Sequence, residues 1–345
     1  MARDARQEES PRRFRVKLSS VSLVTLVATL MLVFVGGYTR GSGSGYGCAD
    51  RWPLCEGGAL GGLLPRADYH MIIEWSHRWL AATVGVLVVA TAVLAWRQQR
   101  ARKAVVWPAT AAVGVVGLQA WIGRVVVQQE LDADLVSLHL AISMIVVGLL
   151  VVVTVNALAV SPATPEERTR DRNWAALTAV GAAGAYVLVL LGSYVHNRYV
   201  PGWPLVQNQL FPVLDDKWAV VHLAHRILAA AGLLYLVFLL LAERRRDRPR
   251  PERYLLWAAL GCYAVNVGLG AAHVFTKVRS TSIVALHLLV AAVVWALLVA
   301  TATSARRPPV GEQVGLGAKE QQPQVPAQQP DTASIPGPTP QRTST

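Results

Sequence analysis

The sequence predicts an all-α integral membrane protein with eight transmembrane helices, built as two tandem pseudo-symmetric four-helix bundles. Three observations lead there. Eight apolar runs have membrane-spanning length. The composition is 53% hydrophobic and only 16% charged over 345 residues, against roughly 25% charge in soluble domains. Sequence motifs also recur at a fixed offset of 148 residues.

The runs lie at about 18–38, 71–95, 105–125, 134–160, 174–195, 218–242, 254–275 and 282–304. Each reaches the ~20 residues that an α-helix needs to cross ~30 Å of hydrocarbon. Lipid offers the backbone no water to bond, so such runs are helices. The first is too long for a signal-peptide core, and no small-residue cleavage site follows it.

Charge placement sets the topology. Segments 1–17, 96–104, 161–173, 243–253 and the tail from Ala305 carry six, four, three, six and four Lys or Arg, 23 of the 33. Basic residues gather on the cytoplasmic side. The expectation is a multi-pass cell-membrane protein with both termini cytoplasmic and with loops 39–70 and 196–217 outside. The net charge of +12 therefore reads as topology, with no nucleic acid as partner. Domains are expected at 1–17 (basic N-terminus), 18–160 (first bundle), 161–173 (linker), 174–304 (second bundle) and 305–345. The last holds eight of the 19 prolines and reads as a disordered tail, because it cannot bury enough apolar area to offset its ordering entropy.

The repeat carries the chemistry. His77-Arg78 returns as His225-Arg226, and Val136-Ser137-Leu138-His139-Leu140 as Val284-Ala285-Leu286-His287-Leu288. Trp52-Pro53-Leu54 returns as Trp203-Pro204-Leu205 in the other outer loop. Each half thus holds two histidines 62 residues apart, on helices running in the same direction and at similar depth in the outer half of the membrane. Two imidazoles so placed can clamp a haem iron from opposite faces. One membrane histidine alone reads as a helix–helix hydrogen bonder; two duplicated pairs favour ligands. Zinc or copper fits less well, because neither half offers a third ligand at suitable spacing. His70, His196, His222 and His273 lack this symmetry, and His70, His196 and His273 read as loop or interface residues.

Arg78 and Arg226 are costly inside a span unless paired. Haem propionates would suit them, as would snorkelling to the interface. Glu74 lies one turn from His77 on the same face, and its counterpart is His222. A carboxylate in only one half fits one catalytic and one electron-carrying half. There it could move protons or stabilise a cation on an oxidised substrate, or it could simply meet interfacial water. Cys48 and Cys55 share the first outer loop on a side that permits disulfides, where a bond between them would be either redox-active or a structural staple. Cys262 reads as a small core residue.

Together these motifs resemble the heme A synthase family. The resemblance rests on Gly37-Tyr38-Thr39-Arg40, the Cys48…Trp52-Pro53-Leu54-Cys55 loop, Glu74-x-x-His77-Arg78, His139, Gly192-Ser193-Tyr194-Val195-His196-Asn197-Arg198, His225-Arg226 and His287, across about residues 18–304. It implies oxidation of the C8 methyl of heme o to the formyl group of heme a, for terminal oxidase assembly. It implies substrate heme o at His77 and His139 with Glu74 catalytically important, a heme b cofactor at His225 and His287, and a family cysteine pair matching Cys48 and Cys55. Expected partners are heme o, a heme o synthase (protoheme farnesyltransferase), an electron acceptor and the lipid bilayer, with an oligomer open. The rival readings are a diheme b-type membrane electron-transfer cytochrome, which needs neither Glu74 nor the cysteine loop, and a non-catalytic haem transporter.

Overall fold

The computed structural model describes residues 16–158, 172–246 and 250–306. The N-terminal segment to residue 15, linker residues 161–171 and the Pro- and Gln-rich tail from 307 lie outside them. Among the described residues, eight helices are long and apolar enough to cross a membrane. They are α1 Leu18–Gly41, α2 Tyr69–Gln98, α3 Lys103–Gln128, α4 Ala133–Leu158, α5 Arg172–Val195, α6 Lys217–Arg244, α7 Arg250–Phe275 and α8 Thr281–Ser304. Most outrun the apolar stretches by a few residues, because hydropathy marks the lipid-facing part of a helix and not its capped ends. Asp68 caps α2 by accepting the Met71 N–H at 2.8 Å. Asp216 caps α6 by accepting the N–H groups of Trp218 and Ala219. The two aspartates are repeat counterparts, 148 residues apart. Each fixes where the helix bearing the first histidine of its half begins.

The helix contacts obey the repeat. Helix α1 packs on α2, α2 on α3, α3 on α4, and α4 back on α1; α5 to α8 close a second ring in the same way. The rings meet through α1–α8, α4–α5 and α4–α8. Exchanging each helix for the one four places along returns the same set of contacts, which describes a pseudo-twofold relation with α4 and α8 at its centre. The described residues of both rings cluster as one compact unit, so the two rings are joined halves.

Lipid supplies no hydrophobic drive between helices, so close packing must hold them. At the centre, a Cβ on Gly148 would stand 2.2 Å from the Trp295 ring; only glycine lets α4 and α8 approach this closely. At the end away from the long loops, buried charges are paired, as membrane burial demands. The Glu243 carboxylate accepts twice from Arg253 Nε at 3.0 and 3.1 Å, and Trp174 Nε1 donates to Glu252 at 2.8 Å.

Candidate functional site

All four repeat histidines lie in the half of their helices nearer the long loops. His77 follows its Asp68 cap by nine residues, and His225 follows Asp216 by nine, or ~13 Å of helix at 1.5 Å per residue. His139 and His287 each lie six residues into α4 and α8. His77 and His139 lie on α2 and α4 of the first ring, and His225 and His287 on α6 and α8 of the second.

A set of four glycines seats these rings, a role that the sequence did not assign to them. His77 lies against Gly36 of α1, His139 against Gly123 of α3, His225 against Gly192 of α5 and His287 against Gly270 of α7. A Cβ at those glycines would stand 3.3, 3.0, 3.2 and 3.3 Å from the respective ring. A Cβ at any of these positions would require the imidazole to give way by a few tenths of an ångström. Three rings turn their Cε1–Nδ1 edge to the glycine, whereas His77 turns its Nε2 edge. His287 is further fixed by a 3.1 Å bond from Nδ1 to the Asn266 carbonyl. A carbonyl only accepts, so the proton is on Nδ1, and Nε2 keeps its lone pair for a metal.

The C-terminal half encloses a cavity lined by His225, His287, Arg226, Asn266 and Tyr263, with Gly37 and Arg40 contributed by α1. His196, His222 and His273 line it too, although the sequence reading left them without a place there. The His273 ring stacks on His287 at 6.3 Å, and His196 lies 5.9 Å from His273. The signal was present. His196 stands four residues after Gly192 and His273 three after Gly270, so each shares a face with a glycine that seats a ring. His70 instead lies exposed at the start of α2, bonded to Ser44.

The arginines and Glu74 fasten the long loops. Arg78 Nη1 donates to the carbonyls of Arg51 at 2.7 Å and Leu54 at 3.1 Å, and its Nη2 pairs with Glu74. Its side chain is 11% exposed, so it does not snorkel to the surface. Arg226 repeats the gesture more weakly, from Nη1 to the Pro204 carbonyl at 3.3 Å. Its Nη2 is buried with no hydrogen-bond partner among the described residues. Glu74 is 3% exposed and accepts the Cys48 N–H at 2.7 Å. Cys48 and Cys55 form a disulfide, fully buried beside Met71. At the counterpart of Glu74, His222 Nε2 donates to the Arg198 carbonyl at 2.8 Å. Arg198 itself pairs with Asp216 at 3.1 Å. Arg40 crosses between the halves, donating to Ser193 Oγ at 3.0 Å and Asn197 Oδ1 at 2.6 Å. Among the described residues no three His, Cys, Asp or Glu side chains converge to hold a bare metal ion. Paired imidazoles across a bundle suit a planar macrocycle instead.

A family model described as cytochrome oxidase assembly protein matches residues 19–299. The chain belongs to this family. Its relatives are named heme A synthases. The protein from Alkalihalophilus pseudofirmus is 26% identical over 298 residues, covering 82% of this chain and 95% of its own length. Those from Symbiobacterium thermophilum and Staphylococcus carnosus are each 29% identical, covering 74% and 76% of this chain and 84% and 87% of their own lengths. The matched span takes in all eight helices and both histidine pairs, so membership of the heme A synthase family applies to both halves.

Proposed function

We propose that this chain is a membrane oxidoreductase that converts the C8 methyl of heme o into the formyl group of heme a, for terminal oxidase assembly. The observation that carries the reading is the duplicated pair of glycine-seated histidines inside a chain of this family. The residues fit a haem in each half. In the C-terminal half the donor set is His225 and His287, and the buried, unpartnered Nη2 of Arg226 suits a propionate, which a guanidinium binds well. This half would hold heme b. In the N-terminal half His77 and His139 would hold the substrate, heme o. The bound haem supplies the redox chemistry that side chains lack.

The chain's own residues bind, orient and exclude water. The glycine seats set the ring positions. The disulfide loop, fastened by Glu74 and Arg78, covers the outer end of the substrate half, where Trp75 Nε1 also donates to the Leu63 carbonyl at 2.9 Å. Water kept out in this way strengthens each electrostatic contact inside. Glu74 is the one carboxylate one turn from a candidate ligand, and it would take up a proton or stabilise positive charge at the oxidised carbon. Arg78, bound to its loop, acts on the substrate through that loop rather than as a propionate partner.

By the positive-inside rule both termini are cytoplasmic and the haem sites lie in the outer half of the cell membrane. A heme o synthase would deliver the substrate, and a separate acceptor would take the electrons. The test is mass spectrometry of haem from the purified protein after co-production with a heme o-forming farnesyltransferase. Heme a, or hydroxylated heme o, absent from a no-enzyme control is the expected result. Heme b alone, with heme o shown to be present in the membrane, would support an electron-transfer cytochrome and refute the synthase reading.

A further inference from the structure

Two buried polar atoms lie on the α3–α4 seam without partners among the described residues: His139 Nδ1 and Gln119 Oε1. Their residues are in contact. Gln119 Nε2 donates to the His139 carbonyl at 3.0 Å and to Ser143 Oγ at 2.6 Å, which holds the carboxamide on the turn that bears His139. The His139 ring turns its Cε1–Nδ1 edge to Gly123, with a Cβ there 3.0 Å from Cε1 and 3.7 Å from Nδ1. Gln119 is four residues before Gly123, on the same face of α3.

In the C-terminal half the corresponding ring nitrogen is bonded, to backbone, while the side-chain oxygen of Asn266 is itself unpartnered. His287 turns the same edge to Gly270, at 3.3 and 3.8 Å. Its Nδ1 meets the carbonyl of Asn266, four residues before Gly270 and the repeat counterpart of Gln119. One half therefore has the tether in place. The other has an unpartnered ring nitrogen and an unpartnered carboxamide oxygen on two residues that touch.

We propose that Gln119 is a positioning residue whose carboxamide oxygen accepts the His139 Nδ1–H once Nε2 of that ring takes up a haem iron. The inference rests on the reading of His139 as a ligand. With the proton on Nε2, Nδ1 is an acceptor, as Gln119 Oε1 is, and the two cannot bond. Ligation at Nε2 requires the proton on Nδ1. The pair then becomes complementary, and two unpaired buried atoms are satisfied together. The acceptor for His287 belongs to helix backbone and is always present. The acceptor for His139 is a side chain that joins on loading and parts on release, as an exchangeable substrate requires.

The test is a titration of heme o into the detergent-solubilised full chain, purified from cells that make no heme o. Difference spectra give the affinity, and electron paramagnetic resonance of the low-spin ferric signal reports the ligand field. Outer-shell partners of ligating histidines are worth about 10–100-fold in metal affinity, so Gln119→Leu should weaken binding by about tenfold or more and shift the g values. Gln119→Glu keeps an oxygen acceptor and should bind within a few-fold of wild type. Ser143→Ala removes one of the two Nε2 partners but spares Oε1 and the bond to the His139 carbonyl, and should weaken binding by less than Gln119→Leu does. Wild-type affinity and g values in Gln119→Leu would overturn the proposal. So would equal losses in the Leu and Glu variants, which would leave Gln119 a structural role through Nε2. His139→Ala separates the two levels. If it keeps full heme o binding, the ligand reading itself fails. If it loses heme o while Gln119→Leu binds normally, only the tether fails.

Discussion

Glu74 and His222 occupy the same repeat position and do the same mechanical task with opposite chemistry. Glu74 accepts a loop N–H from Cys48, and His222 donates to a loop carbonyl at Arg198. The N-terminal loop is further closed by a disulfide and by Arg78 on two of its carbonyls at 3.1 Å or less. The C-terminal loop has no cysteine, and its arginine makes one long bond at 3.3 Å. The tighter loop covers the half proposed to exchange its haem, and the looser one covers the half proposed to keep it. The difference teaches that loop fastening and haem retention are separate properties here. The proposed retention would rest instead on the Asn266 bond to His287 and on the unpartnered Arg226 Nη2. The tight loop keeps one ionisable carboxylate dry and in place.

The largest expected effect comes from filling a glycine seat. Gly270→Leu should expel heme b from the C-terminal half while the protein remains folded in the membrane. Gly123→Leu should leave heme b in place and abolish conversion of heme o. Haem content by pyridine haemochrome, measured beside product formation, checks both; equal loss of heme b in the two variants would break the comparison. Glu74→Gln comes next. It keeps an acceptor for the Cys48 N–H but removes the charge, so product should fall by at least about a hundredfold, within the range of general acid–base contributions, with heme b content unchanged. Turnover near wild type would reduce Glu74 to a loop fastener like His222. Arg226→Gln should loosen heme b by several-fold in a competition assay with apomyoglobin, whereas Arg78→Gln should leave heme b retention alone and expose the cysteine loop to proteolysis.

The smallest effect concerns the caps. The N–H groups of Ala219 and Trp218, helped by the Arg198 charge and opposed by desolvation, hold the Asp216 carboxyl below its usual range. A depressed folded-state value stabilises fully above the unfolded value near ~3.9 and loses that contribution as pH falls through the lower folded value. The second loop should therefore loosen only in strong acid, and Asp216→Ala should lower the melting temperature by a few degrees at neutral pH. Limited proteolysis of loop 196–217 across the acid range follows this directly.

The helices were legible because lipid demands long apolar runs, and the histidine pairs because the repeat kept them in register at 148 residues. The aspartate caps obey that same offset but were missed, since Asp68 and Asp216 are common loop residues until a helix begins beside them. The glycine seats were harder still. Gly36 and Gly192 are 156 residues apart and Gly123 and Gly270 are 147 apart, because the two halves differ in loop length. The echo of Gly36 in Gly192 is legible in the sequence, but not that either glycine faces an imidazole. The roles of Arg78 and His222 needed three dimensions, because their partners are backbone carbonyls, which carry no side-chain signature. Glu74 stood out in sequence as the residue that breaks the symmetry. The structure adds that its counterpart also ties a loop, so charge, not position, distinguishes it.

The central claim is that the two halves hold haem on different terms, resident in one and exchangeable in the other. The most direct measurement is the number of heme b groups per chain in protein from cells that make no heme o. It compares wild type with His77→Ala/His139→Ala and with His225→Ala/His287→Ala. The account predicts one heme b in wild type, one in the N-terminal variant and none in the C-terminal variant. Equal loss in both variants, or loss only in the N-terminal one, would contradict it.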